Sequence, residues 1–472
     1  MQPSPPGPEA GGERPSLGIL KQFAYLLSAR WLREACQAVF LIYLARLSAA
    51  TYGEFMLALG LGSILLLFSE FGLNLPLVSL LSRPDARPGE SLAQVTALKS
   101  LLLFLAWLGV LGFVHWQAYA PALKSLMLLL GLGVGLEALA NTFFVALQVQ
   151  GRQDLQGQVK AVAAALGFGY GLTALFLGAP PLAVAAFKLI ETLVNLAGAV
   201  FLVRRQPEFH LSWPKISNLA QTLRLGIIFA LMEVAAIIYN KANLFFLQRY
   251  AGADGVAQYS VTWSLVEGLA VIVSNLLLQS ILYPLFVHLW ETDRPRVPGL
   301  AQNTARWLLL AAALVMYALF IESDRLIPLI YGPHYQEAIW LQRLLVLTVV
   351  IAFLHNLATF LLLSMRLERL VLACYLAGLA FNLLWCSLAL PYKPLLGAAL
   401  AMVLTKGLVA AFTVTACQRR VPLFRAGSLT QLTLALAAGA LLYGLGIGEL
   451  PRLAAEVLAL TPLLWLAWRW WR

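Results

Sequence analysis

The residues with chemistry to offer in this chain are charged side chains set inside long apolar stretches. Arg30, Arg33 and Glu34 lie in the first stretch, Glu70 in the second, Glu137 in the fourth, and Lys188 with Glu191 in the sixth. Glu233 and Lys241 follow in the seventh, Glu267 in the eighth and Lys406 in the twelfth. A charge costs about 2.5–3.5 kcal/mol at a bilayer centre unless it faces a partner or a cavity, so intramembrane charges point to a functional path. Arg30, Arg33 and Glu34 stand at helical spacing and share one face, as do Glu233, Asn240 and Lys241 two turns apart. Lys188 and Lys406 occupy broadly similar depths in the sixth and twelfth stretches. A cleft lined by Arg30, Arg33, Lys188, Lys241 and Lys406 would be cationic. A second reading stands beside it: Arg30 with Glu34 and Lys188 with Glu191 are helix-surface pairs that neutralise each other, or Arg30 snorkels to the interface. Glu137 has no basic neighbour in sequence and reads as a polar helix-packing contact.

The elements that position these charges follow from composition. With 61% hydrophobic and 12% charged residues and a mean hydropathy of +0.80, the chain is far from soluble-domain averages. A soluble multidomain enzyme is excluded. The pattern predicts an all-α polytopic membrane protein with about 14 transmembrane helices. Basic residues divide about three to one between alternate junctions of those helices. The odd-numbered junctions hold only Arg46, Lys124, Arg249, Arg325, Arg343, Lys393 and Arg452, whereas the even ones hold clusters such as Arg204 with Arg205 and Arg419 with Arg420. That bias predicts both termini in the cytosol. It also accounts for the net charge of +11 without nucleic acid, which is not an expected partner.

Residues 1–18, rich in Pro and Gly, read as a disordered cytosolic tail and not as a signal peptide. Weak internal echoes suggest a duplication. Leu44-Ala45-Arg46 before Tyr52-Gly53-Glu54-Phe55 is echoed by Leu247-Gln248-Arg249 before Val256-Ala257-Gln258-Tyr259, and Leu147 to Asp154 by Leu363 to Glu368. The expected organisation is two pseudo-symmetric six-helix lobes, 19–203 and 223–420, joined by a cytosolic connector, 204–222, and followed by a C-terminal helix pair in 421–472. Cys36, Cys374, Cys386 and Cys417 are scattered without metal-ligand spacing and read as small core residues. Trp465, Trp468, Trp470 and Trp471 with Arg469 read as an interfacial anchor.

Several loose motifs, taken in order, resemble a known family. They are Ile42-Tyr43-Leu44-Ala45-Arg46-Leu47 before Tyr52-Gly53-Glu54-Phe55, Ser69-Glu70-Phe71-Gly72-Leu73, Leu147-Gln148 with Gly151-Arg152, and Leu329-Ile330-Tyr331-Gly332-Pro333 with Tyr335. In order and spacing they resemble the polysaccharide (O-antigen or exopolysaccharide) flippases of the multidrug/oligosaccharidyl-lipid/polysaccharide exporter superfamily, over most of residues 20–420. The resemblance implies two six-helix lobes plus a C-terminal pair around a V-shaped cavity, in a bacterial cytoplasmic membrane. It also implies transfer of an undecaprenyl-diphosphate-linked oligosaccharide to the outer leaflet by alternating access, among membrane lipids and beside polysaccharide polymerase machinery. On that reading Arg30, Arg33 and Lys241, then Lys188 and Lys406, meet the diphosphate, because cationic donors bind phosphate oxygens more strongly than neutral ones. Asn240, with Tyr25, Tyr239 and Trp263, is a candidate sugar contact. Glu34, Glu70, Glu233 and Glu267 are candidate groups for proton or sodium coupling; no other cofactor and no metal is expected.

Other cargoes and chemistries stay open. A multidrug and toxin extruder would favour an acidic, aromatic cleft, against the cationic one inferred here. A lipid II flippase carries the same kind of polyprenyl diphosphate. A membrane glycosyltransferase or polymerase would need an outward catalytic loop, but the segment Glu322 to Ile339 carries no recognisable nucleophile or metal constellation, so no enzyme activity is expected.

Overall fold

The computed structural model describes residues 17–81, 88–206, 219–273, 278, 282–424, 427–446 and 451–471. Residues 1–16 of the expected tail, most of the connector and the basic residues Arg14, Arg83, Arg87, Lys215, Arg425 and Arg472 lie outside the described residues, as do the side chains of Lys21, Tyr25, Arg30 and Arg224. Seventeen α-helices make up the described chain. They are α1 (Leu17–Leu47), α2 (Ala49–Glu70), α3 (Asn74–Leu81), α4 (Pro88–Trp116), α5 (Pro121–Val149), α6 (Gln153–Phe176), α7 (Pro181–Arg204), α8 (Leu219–Val273) and α9 (Tyr283–Thr292), then α10 (Val297–Ile321), α11 (Ser323–Tyr331), α12 (Gln336–Leu345), α13 (Leu347–Ser364), α14 (Glu368–Ala389), α15 (Pro394–Gln418), α16 (Ser428–Gly446) and α17 (Arg452–Trp471). Among the described residues, 11 helical segments are long and apolar enough to cross a bilayer. The chain is a multi-pass membrane protein.

Side chains obey the rules of a lipid solvent. Leu101, Phe104, Leu105, Leu384, Leu388, Leu434 and Leu441 are exposed, an arrangement that costs nothing where hydrocarbon replaces water. Helical hydroxyls satisfy themselves on the preceding turn, as in Ser69 Oγ to Leu65 O at 2.7 Å, Thr96 Oγ1 to Leu92 O at 2.7 Å and Thr142 Oγ1 to Ala138 O at 2.9 Å. The three cysteines Cys374, Cys386 and Cys417 are buried, and all four in the chain are free thiols.

Two apolar stretches fold differently from a single straight span. The second, an apolar run over 54–81 in the sequence, stops as a helix at Phe71 and Gly72, which take positive φ of 42° and 63°, before α3 resumes. The polar side chains flanking this break, Glu70 and Asn74, use it to turn toward other helices, as described below. The seventh and eighth stretches are joined at Gly252, whose φ of 67° and ψ of −170° are open to glycine for want of a Cβ. The break is a reversal: Asn243 Nδ2 donates to Tyr259 Oη at 3.3 Å, although 16 residues of continuous helix would separate them by about 24 Å. We call the limbs before and after Gly252 α8a and α8b. The echoed junctions around residues 151 and 366 do share a helix ending, with Gly151 at φ 70° and Arg366 at φ 60°, and six-to-one bonds from Arg152 N to Leu147 O and from Leu367 N to Leu362 O. Gly151 thus corresponds to Arg366 in the two helix endings.

In the first half, α5 packs against α2 and α7, and α6 bridges α1 and α7; in the second, α15 packs against α13, α14 and α8. The halves meet chiefly where α2 lies along α8. The final pair, α16 and α17, packs together and against α10. Trp470 belongs to that seam and not to an interfacial anchor: it is buried, its Nε1 donates to Gln431 Oε1 at 2.9 Å and Arg306 lies over its ring.

Candidate functional site

Four intramembrane charges of the first half converge from three helices. Arg33 on α1 donates through Nε to Glu191 Oε1 on α7 at 2.7 Å, and its Nη2 lies 3.0 Å from Glu137 Oε1 on α5. Lys188 on α7 reaches the same two carboxylates, at 3.1 Å to Glu137 Oε2 and 2.9 Å to Glu191 Oε2. Two cations and two anions balance. Glu191 is almost wholly enclosed and Lys188 nearly so, while Arg33 is the most open member at 20% side-chain exposure. Glu137 is therefore corrected: it is the hub of this cluster, its basic partners arriving 104 and 51 residues away in sequence. Lys188 is not a bare cation of a cleft wall, and Arg33 is only partly one. Glu34, on the same helix, is exposed.

The second half brings together Lys241, Glu267, Lys406, Trp263 and Asn240 in a looser arrangement. The reversal at Gly252 sets Lys241 of α8a beside Glu267 of α8b, with Nζ 3.6 Å from Oε2. Lys406, from α15, lies 4.4 Å from the centroid of the Trp263 ring, a cation over a π face. Asn240 uses its Nδ2 on Ala236 O at 2.8 Å, but its Oδ1 is buried without a partner. The indole Nε1 of Trp263 is orphaned as well. Buried polar atoms are nearly always bonded in native proteins, so an unpaired acceptor beside Lys241 in sequence and an unpaired donor on the ring under Lys406 leave this cluster with spare hydrogen-bonding capacity; Thr192 and Asn195 on α7 of the first half have unpaired oxygens as well. Tyr239, at 4% exposure, packs its ring edge on Tyr375 and faces the core; it is not available as a sugar contact here. No hydrogen bond or ion pair among the described residues joins this cluster to that of the first half.

A third polar group lies where the halves meet. Glu70 at the end of α2 accepts from Asn141 Nδ2 at 2.7 Å, and the fully buried Lys99 donates to Asn74 Oδ1 at 2.7 Å and Ala138 O at 3.2 Å. Glu233 on α8a is exposed and within electrostatic range of Glu70. Of the four candidate coupling carboxylates, the structure thus brings Glu70 and Glu233 near each other, gives Glu267 to Lys241 and leaves Glu34 apart. Lys99 escaped sequence reasoning because it sits close to a basic junction; its burial appears only when α4 is packed on α5.

The halves are fastened at the face that carries the odd-numbered junctions. Arg46 donates to Ile330 O at 2.8 Å and to Leu329 O, while Tyr335 Oη donates to Ala45 O at 2.9 Å. Gln258 clasps the same corner, donating to His334 O and accepting from Ala338 N, each at 3.0 Å. Gly53 makes the close approach of α2 to α8 feasible: a Cβ there would stand 1.9 Å from Ala253 O. The loose sequence motifs around residues 42–55 and 329–335 are the two sides of this latch.

Solved transporters share the architecture. An inward-closed lipid II flippase MurJ matches with a TM-score of 0.74 at 10% identity, covering 94% of this chain and 97% of that one. An inward-facing multidrug transporter of the MATE family, in the MOP superfamily, gives 0.66 at 14% identity over 84% and 97%. A MOP superfamily transporter from Pyrococcus furiosus, described as having a binding pocket of reversed polarity, gives 0.56 at 14% identity over 85% and 95%. No curated protein matches by sequence. The model of the polysaccharide biosynthesis protein family matches residues 19–290, more than half of the chain, and the chain belongs to that family.

Proposed function

We propose that this protein is a flippase for an undecaprenyl-diphosphate-linked oligosaccharide, moving its head group from the cytosolic to the outer leaflet of a bacterial cytoplasmic membrane. The observation that carries the reading is the second-half cluster: Lys241 in a loose pair with Glu267, Lys406 over the Trp263 ring, and unpartnered polar atoms on Asn240 and Trp263, all on helices read as membrane-spanning. A diphosphate can displace Glu267 from Lys241, because a 3.6 Å ion pair is weak and a charge-assisted phosphate contact is stronger. It then draws Lys406 from the Trp263 ring. The sugar hydroxyls next to it donate to Asn240 Oδ1 and accept from Trp263 Nε1. Arg33 is the first-half residue open enough to join, exchanging one of its two carboxylates for phosphate.

In this mechanism the lobes 19–203 and 223–420, related by an axis along the membrane normal, rock against each other about an axis in the membrane plane, while the pair in 421–472 rides on the second lobe. The latch at the odd-numbered junctions holds the outer face shut, so the described state loads from the cytosolic face, where both termini lie. Glu70 and Glu233, near each other at the lobe boundary, supply a site at which a proton or sodium ion relieves carboxylate repulsion and biases the lobes.

The test is reconstitution in liposomes with a fluorescent polyprenyl-diphosphate oligosaccharide and, in parallel, a cationic dye. Movement of the lipid-linked glycan alone is the expected result. Movement of the dye alone would replace this reading with a drug extruder.

A further inference from the structure

A cavity of about 820 Å³ opens between α2 and α4 of the first half and α8a and α14 of the second. Its walls are apolar, including Leu65, Phe68, Phe113 and Phe245. Polar groups enter only at the end that carries the odd-numbered junctions, where Gln117 and Arg249 close the lining. Arg249 is exposed and stacks on Tyr250; no carboxylate pairs with it among the described residues. The volume is that of a ligand site and far above a packing defect. No water can be held along such walls, so hydrocarbon fills them.

We infer that this cavity binds the polyisoprenyl tail of the lipid-linked cargo, with Arg249 and Gln117 receiving the phosphates as they reach the outer leaflet. The inference rests on the flippase reading above. A cargo whose head passes between two halves while its tail stays in lipid needs a lateral gap bounded by both, and this cavity is bounded by both. A cation without a carboxylate partner at the delivery end complements a diphosphate. The irregular Leu and Phe walls suit a branched chain, whose methyl groups pack into recesses that a straight chain would leave open.

Gly109 lines the cavity, and a Cβ built on it meets nothing within 4 Å, so Gly109→Leu fills the space without disturbing the helix. Gly112 has the same freedom but lies outside the lining, which makes Gly112→Leu the control. Initial flipping rates are compared in liposomes for a full-length undecaprenyl cargo and a two-isoprene analogue with the same head group. Gly109→Leu is expected to slow the long-tailed cargo on the order of tenfold and spare the short one, with Gly112→Leu like wild type for both. Arg249→Gln is expected to slow release of both cargoes, since both carry the diphosphate. In parallel, an undecaprenyl diphosphate bearing a terminal diazirine is expected to label α4 and α8a, and to resist competition by phosphatidylglycerol.

Equal rates for wild type and Gly109→Leu on the long cargo, or labelling abolished by phosphatidylglycerol, overturn the tail site while leaving the flippase reading intact. Failure of the wild type to move either cargo removes the flippase reading itself, and the tail site with it.

Discussion

The two halves of the molecule hold similar charges in opposite ways. In the first half, Arg33, Lys188, Glu137 and Glu191 bind one another at 2.7–3.1 Å, and every formal charge has its counter-charge. In the second half, Lys241 and Glu267 stand 3.6 Å apart, Lys406 rests on an aromatic face, and polar atoms of Asn240 and Trp263 are unpaired. A buried network that satisfies itself rigidifies a helix bundle, since removing a member strands the others. A loose one keeps its hydrogen-bonding capacity for a ligand. The lesson is that intramembrane charge alone does not single out a binding site, because a saturated cluster and a loose one carry the same residue types.

The sharpest way to break this comparison is Glu191→Ala. It removes a carboxylate enclosed between two cations and leaves both without full compensation, a change expected to cost about 3–5 kcal/mol and to depress the thermal unfolding midpoint and membrane yield. The double variant Arg33→Ala, Glu191→Ala should recover part of that loss, because a stranded charge leaves with its partner. Normal stability of Glu191→Ala would mean that the first-half cluster is as loose as the second.

The complementary substitution is Lys241→Ala. Glu267 keeps partial solvent access at 29%, so stability should stay near wild type. Glycan flipping should fall roughly 10- to 100-fold through loss of one charge-assisted phosphate contact. Lys406→Ala should do the same less severely, its ammonium being held by the ring. Flipping at the wild-type rate in both variants would move the diphosphate away from the second half.

The latch gives a third contrast, since it joins the two halves whereas each charge cluster lies within one of them. Gly53→Ala places a methyl against Ala253 O, an overpacking worth about 1–3 kcal/mol against the closed face. Tyr335→Phe removes one hydrogen bond there, worth about 1 kcal/mol. In a background without the native cysteines, a thiol at Ala257, which is fully buried, should become reactive to aqueous reagents in Gly53→Ala and, less strongly, in Tyr335→Phe. Unchanged protection in both would show that the corner does not gate the outer face.

Much of this architecture was legible in the chain. Apolar length gave the membrane-spanning helices, and the loose motifs at residues 42–55 and 329–335 foreshadowed a structural corner, though they read only as family markers until Arg46, Ala45 and Tyr335 met. What escaped was long-range pairing. Glu137 looked isolated because its partners are on α1 and α7, and helical periodicity reports neighbours on one helix only. Lys188 with Glu191 was readable at i and i+3; that Arg33 completes the set was not. The break at Phe71 and Gly72 lies among Glu70, Asn74 and Pro76, but the residues around it read as a loose motif inside a longer apolar run and not as a helix end.

The smallest expected effect concerns a cluster that faces water and not lipid. Asp324, in the first turn of α11, accepts from Arg452 at 2.6 Å and 2.7 Å, and Arg452 also binds Glu456 at 2.8 Å, tying α17 to the latch side of α10. Hydrogen bonds from Arg452 hold the Asp324 carboxyl below the ordinary aspartate range. Because its folded value is lowered, the stabilisation is fully present above the unfolded value and is lost as pH falls through the folded one. Asp324 is about a third exposed, so solvent screens the pair and the effect is small. The docking of α16 and α17 should therefore be unchanged from neutrality to mildly acidic pH, and should loosen only below the usual aspartate range. Limited proteolysis between α15 and α16 across a pH series would show this, with Asp324→Asn flattening the acid-side change. If wild type and Asp324→Asn loosen at the same pH, the pair contributes nothing to holding the C-terminal helices, and intramembrane pairing remains the arrangement with consequences for stability.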